Sequence, residues 1–99
     1  QSFPPLTAYI FNNMDKTVLL KMGETIFKID PKSQKFIPLP ENNKGYFDEK
    51  MVFAAQKEDK SIDYFYSSYW RVYSESKKLC FIDFDEATEK HTLTEITLR

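Results

Sequence analysis

The chain predicts an all-β fold: a single antiparallel domain of about eight short strands, arranged as a sandwich or a small barrel. Three observations carry that expectation. Apolar and polar residues alternate with period two over short runs. Turn-forming residues recur at intervals of about 8 to 12 residues. The large side chains are of the kind that suits a pleated surface, with nine Phe and six Tyr bringing the aromatic share to 16%.

Taken in order, residues 1–7 read as an extended lead-in, because Pro4 and Pro5 deny the backbone both helix and ladder donors. Residues 8–99 make the domain. Residues 8–11 form a strand, Asn12-Asn13-Met14-Asp15 a turn, and Thr17 to Met22 a second strand with Val18, Leu20 and Met22 on one face. The two strands pair as a hairpin. Gly23-Glu24 turns the chain into a third strand over 25–30, and Pro31 to Gln34 turns it again. Residues 35–39 return as a strand that Pro38 confines to a sheet edge, guarded against edge pairing by Lys32 and Lys35.

Residues 40–45 (Pro-Glu-Asn-Asn-Lys-Gly) are the longest run of breakers, a loop that divides two halves of one domain. Met51 to Gln56 then reads as a strand, paired through a polar turn at 57–61 with Ile62 to Tyr66. A short helix over 48–57, capped by Asp48, is the alternative for that segment. Ile62 to Tyr73 holds six aromatic residues, among them Trp70, the only tryptophan. Alternation puts Ile62, Tyr64 and Tyr66 on one face and Asp63 and Phe65 on the other. Ser67-Ser68 breaks or bulges the strand before Tyr69, Arg71 and Tyr73, which alternate with Trp70 and Val72.

A turn follows at 74–77. Residues 79–84 are apolar on both faces as far as Ile82, as in a central strand covered from both sides. Residues 85–90 form a turn or a single helical turn. Residues 92–98 make the last strand, with Ile96 and Leu98 inward. Ile26-Phe27-Lys28-Ile29-Asp30 is echoed by Leu79-Cys80-Phe81-Ile82-Asp83, each a strand closing on Ile-Asp before a polar turn, as in propeller blades.

Charge and chemistry narrow the function classes. Fourteen basic residues face fifteen acidic ones, a net charge of −1. Residues 1–50 carry 7 Lys against 6 acids and residues 51–99 carry 7 basic against 9 acidic, so the halves stand at +1 and −2. Neither half has the electrostatic footprint of a nucleic-acid binder or a polybasic membrane patch. No run reaches the roughly 18 apolar residues of a membrane-spanning helix. Nucleic acid and a membrane span are therefore not expected.

Cys80, the only cysteine, lies in an apolar run as a buried small hydrophobe. With His91, the only histidine, it falls short of a zinc site. His91 follows Glu89-Lys90 and reads as an exposed residue at a strand start. No Gly-rich elbow or phosphate cradle can be built from two glycines. Asp83, Asp85, Glu86 and Glu89 cluster, but Thr88 and Thr94 stand where a calcium loop needs Gly and Glu, which leaves a solvated acidic turn. Catalysis, metals and cofactors are not expected.

What remains is recognition. Tyr64, Tyr66, Tyr69, Trp70, Arg71 and Tyr73 are of the types enriched at binding surfaces, although core packing competes for the same rings. The expectation is a non-catalytic module that recognises a protein partner through this aromatic strand face, so that Trp70→Ala or Arg71→Ala weakens binding without unfolding. The alternatives are a barrel binding a carbohydrate or another small ligand, and a fragment of a propeller-like repeat protein. Gln-Ser-Phe-Pro-Pro suits a mature N-terminus after signal removal and points to an exported protein, periplasmic or extracellular.

Overall fold

The computed structural model describes residues 6–39, 46–73 and 77–98, except for the side chains of Tyr46, Phe47 and Tyr73. The loop expected at 40–45 and the first three residues of the turn expected at 74–77 lie outside the described residues, as do the prolines of the lead-in, while Lys77 already belongs to a strand. Eight strands follow one another: β1 (Thr7–Asn12), β2 (Thr17–Met22), β3 (Thr25–Ile29), β4 (Ser33–Pro38), β5 (Tyr46–Gln56), β6 (Ile62–Tyr73), β7 (Lys77–Asp85) and β8 (Lys90–Leu98). No helix occurs among the described residues. Residues 48–57 are strand through Gln56 because Met51, Phe53 and Ala55 alternate into the core with period two.

The strands form two four-stranded sheets, a sandwich. Sheet A has the order β4-β1-β7-β8 and sheet B the order β3-β2-β5-β6. Ile10, Ile37, Cys80 and Ile82 from sheet A meet Val18, Leu20, Phe53 and Trp70 from sheet B in one buried cluster. Pro38 closes β4 at the edge of sheet A, where its missing donor costs no ladder bond. Gly23 turns β2 into β3 at φ 63°, a left-handed conformation open to glycine.

Several expectations are corrected. Sheet A is mixed, because β1 pairs with β7 in parallel, Tyr9 opposite Leu79 and Phe11 opposite Phe81. The chain completes sheet B between these two strands, so no tight turn constrains their relative direction. β1 and β2 do not form a hairpin, since the segment after Asn12 carries the chain from sheet A to sheet B.

Asn12 explains that crossing. Its buried amide donates to the carbonyls of Lys16 (2.8 Å), Ile29 (3.2 Å) and Asp30 (3.0 Å), while its Oδ1 accepts from Met14 N–H (3.0 Å). One side chain thus satisfies the backbone of both segments that change sheets. Lys32 N–H donates to the Met14 carbonyl at 3.0 Å, tying the two crossings to each other.

The third correction concerns β6. Phe53 faces Tyr66 and Ala54 faces Tyr64, which leaves Phe65 as the extra residue of a β-bulge. Ser67 and Ser68 run in register with Val52 and Met51. The bulge exchanges faces along the strand: Asp63 and Phe65 point inward before it, Tyr66, Trp70 and Val72 after it. Tyr64 and Tyr66 therefore lie on opposite faces. The fourth concerns β8, where Ile96 is exposed and Leu93 and Glu95 point inward. Register requires this, because Leu93 and Glu95 sit opposite the buried Ile82 and Cys80. Likewise β7 is central but not covered on both faces, since Phe81 is exposed. The two Ile-Asp segments belong to different sheets, β3 at an edge and β7 in the interior.

Candidate functional site

The residues singled out on β6 divide between two faces. Tyr64 and Tyr69 stand on the outer face of sheet B, 70% and 67% exposed. Arg71 shares that face and donates from Nε and Nη2 to the two carboxylate oxygens of Asp48, at 3.0 and 3.2 Å. That hydrogen bonding holds the Asp48 carboxyl below its ordinary range. Trp70 is 2% exposed, tilted against Phe53 in the core, with ring centroids 6.2 Å apart. Tyr66 also points inward. Tyr73 ends β6, and its side chain is not among those described.

Tyr66 and Trp70 meet at a residue that sequence reasoning missed. The Tyr66 hydroxyl and the Trp70 indole N–H donate to Oε2 of Glu95 at 2.9 and 3.1 Å. Lys78 Nζ donates to Oε1 at 3.1 Å and to Thr97 Oγ1 at 2.9 Å, and lies 5.0 Å from the centre of the Trp70 ring. Burial pushes the Glu95 carboxyl up, but the hydrogen bonds from Tyr66, Lys78 and Trp70 and the Lys78 charge outweigh it, so the group sits below its ordinary value. Burial and the Glu95 hydrogen bond push the Tyr66 phenol up. The carboxylate is thus a cross-sheet joint with both oxygens occupied. A charged residue between Thr94 and Ile96 gave no sign of it; only its parity with Leu93 could have.

His91 is also inside, contrary to the expectation of an exposed strand start. It begins the inward row of β8, and the bulge turns Phe65 to stack on its ring with centroids 4.7 Å apart. Phe84 meets the ring edge-on at 5.0 Å, Nδ1 lies 3.9 Å from Asp63 Oδ2, and Nε2 is buried without a hydrogen-bond partner among the described residues. Burial and the nearby Lys16 charge hold this imidazole below its ordinary value, against the opposing pull of Asp63. Burial pushes the Cys80 thiol up to about 12. A thiol so placed stays protonated near neutral pH, without the thiolate that nucleophilic chemistry requires.

A larger aromatic surface lies on the outer face of sheet A. Tyr9 stacks on Phe36 across β1 and β4 with centroids 4.0 Å apart and planes 10° apart. Phe11 stacks on Phe81 across β1 and β7 at 4.9 Å and 15°. Tyr9 and Phe11 meet each other at 4.5 Å, joining the two pairs. Leu79 and Ile96 continue the Tyr9–Phe36 row, so a band of apolar side chains crosses all four strands. Beside Phe11 and Phe81 an open cleft of about 370 Å³ is rimmed by Asn13, Lys32, Gln34 and Asp83. This ladder exists because β1 is flanked by two strands remote in sequence. No local pattern announces it.

Among the described residues, no group of three or more His, Cys, Asp or Glu side chains is placed to hold a metal ion. No described helix is long and apolar enough to cross a membrane. Comparison with protein-family models and with curated proteins finds no match.

Proposed function

We propose that the protein is a non-catalytic recognition module that binds a protein partner on the outer face of sheet A. The observation that carries this reading is the continuous band from Phe36 through Tyr9 and Leu79 to Ile96, with Phe11 and Phe81 stacked beside it. Contiguous apolar area of this kind on a sheet face marks an interaction site. Ring geometry favours a protein over a sugar. A saccharide stacks on a ring face, whereas here the faces of Tyr9 and Phe36, and of Phe11 and Phe81, are turned against each other. Apolar side chains of a protein partner need only complementary area.

This reading moves the contact surface away from β6, whose Trp70 and Tyr66 are engaged at Glu95. A photo-crosslinking residue at position 36, used in cells that make the protein, should capture a discrete partner that the same residue at position 28 on the opposite sheet does not. A Phe11→Ser/Phe81→Ser variant of unchanged fold should lose that capture. Equal capture from both positions, or capture that survives the double substitution, would remove the reading.

A further inference from the structure

The outer face of sheet B differs from that of sheet A in charge. Register places Lys21 opposite Ile26 and Val52, Leu19 opposite Lys28 and Ala54, Lys50 opposite Tyr69, and Arg71 opposite Asp48. Among the described residues this face therefore carries Lys21, Lys28, Lys50 and Arg71 against one acid, Asp48, which Arg71 already binds. Lys21, Lys28 and Lys50 make no ion pair among the described residues. A chain of net charge −1 thus has a face with a surplus of positive charge. Other acids stand at strand ends and in turns, Glu24 and Asp30 at the two ends of β3 and Glu58, Asp59 and Glu86 in later turns, and inside at Glu95.

The uncharged side chains that stand out from the same face are Ile26, Ile62, Tyr64 and Tyr69, all exposed. Between them is only a shallow cleft of about 80 Å³. Lys28, Lys21, Lys50 and Arg71 step along one diagonal of β3, β2, β5 and β6, but the described rings of this face, Tyr64 and Tyr69, both stand on β6, and Ile26 and Ile62 flank the diagonal on its two sides. Single-stranded nucleic acid calls for ring faces presented in series along the cationic track. An anionic bilayer presents a plane of negative headgroups above an apolar layer. Tyrosine settles at headgroup depth, lysines pair with the headgroups, and isoleucine reaches the acyl boundary.

We propose that the outer face of sheet B docks the protein on an anionic lipid surface, with Lys21, Lys28 and Lys50 at the headgroups and Ile26, Ile62, Tyr64 and Tyr69 at the interface. The aromatic ladder of sheet A then points away from the lipid, towards a partner.

Co-sedimentation of the full chain with vesicles tests this. Binding is expected to vesicles mixing phosphatidylcholine with phosphatidylserine, not to phosphatidylcholine alone, and should fall as salt is raised. Each lysine near an anionic surface contributes about fivefold, so Lys21→Gln/Lys28→Gln/Lys50→Gln should weaken partition by on the order of a hundredfold. Ile26→Ser/Tyr64→Ser should also weaken it, while Phe11→Ser/Phe81→Ser on the opposite sheet leaves it unchanged; circular dichroism checks each fold. Absence of binding at low salt, equal binding to both vesicle types, or an unaffected triple variant overturns the proposal. So does tighter binding to an oligothymidylate or to polyglutamate, which would assign the face to a nucleic acid or an acidic protein.

Discussion

Replacing Glu95 by alanine should cost the domain about 3 kcal/mol. The carboxylate on β8 accepts from Tyr66 and Trp70 in the facing sheet and from Lys78 in its own, so its removal strands three donors at once. The Lys78 side chain is 8% exposed and would keep Thr97 Oγ1 and the Trp70 ring. Breaking a buried ion pair costs about 3–5 kcal/mol. The Glu95 side chain is 29% exposed, so water recovers part of that and the lower end applies. Glu95→Gln keeps an acceptor without the charge and should cost about half as much. Replacing both partners with apolar residues, Glu95→Leu/Lys78→Met, should recover most of the loss.

Urea unfolding, followed by Trp70 fluorescence and by circular dichroism, measures each difference at constant m. The carboxyl is lowered in the fold from an ordinary value of 4.5. Its contribution is therefore complete above that pH and fades as pH falls through the folded value, and Glu95→Gln should lack this acid-dependent part. A Glu95→Ala cost under about 0.5 kcal/mol, or the same cost in wild-type and Lys78→Met backgrounds, would show that the sheets are not joined through this group.

Other outcomes follow from single groups. His91 is lowered in the fold from an ordinary value of 6.5, so stability should decline as pH falls from there towards the folded value. Urea midpoints across that range should flatten in His91→Gln, and an unchanged slope would mean that the imidazole is not the group that titrates. Cys80 is fully buried with its thiol at about 12, so a thiol reagent at mildly alkaline pH should react only on global unfolding. Rapid reaction of the native protein would contradict this. Gly23→Ala should cost about 1 kcal/mol for the left-handed backbone, plus the displacement of Glu49 Oε2, which would lie 2.9 Å from the added carbon. Repeating the substitution in Glu49→Ala, again by urea unfolding, separates the two costs.

Strand positions were legible because period-two alternation is a local property, as over residues 17–22; the edge position follows from the missing donor of Pro38, and the burial of Cys80 from its apolar neighbours. Pairing was not legible, because it depends on residues far apart. The sequence after Asn12 carries the same chemistry whether it turns a hairpin or crosses between sheets, and only the buried amide reaching Ile29 and Asp30 decides. The bulge at Phe65 has no compositional mark, while Ser67-Ser68 looks more like one. That displacement moved Tyr66 from a contact surface into the core. Glu95 reads as outward by residue type and is inward by register. Charge summed by chain halves is almost even, yet charge summed by sheet face is not.

The parallel pairing of β1 with β7 also dictates an order of assembly. Tyr9 finds Leu79 only after a separation of 70 residues, whereas sheet B draws all its strands from residues 17–73. On the ribosome, sheet B and the β1–β4 pair can form while β7 is still unmade. For that interval one side of β1 has its backbone donors and acceptors open to any neighbouring chain. Closing so distant a contact is slow, and a chain truncated before β7 would never close it. Aggregation of such truncated chains should therefore initiate at β1.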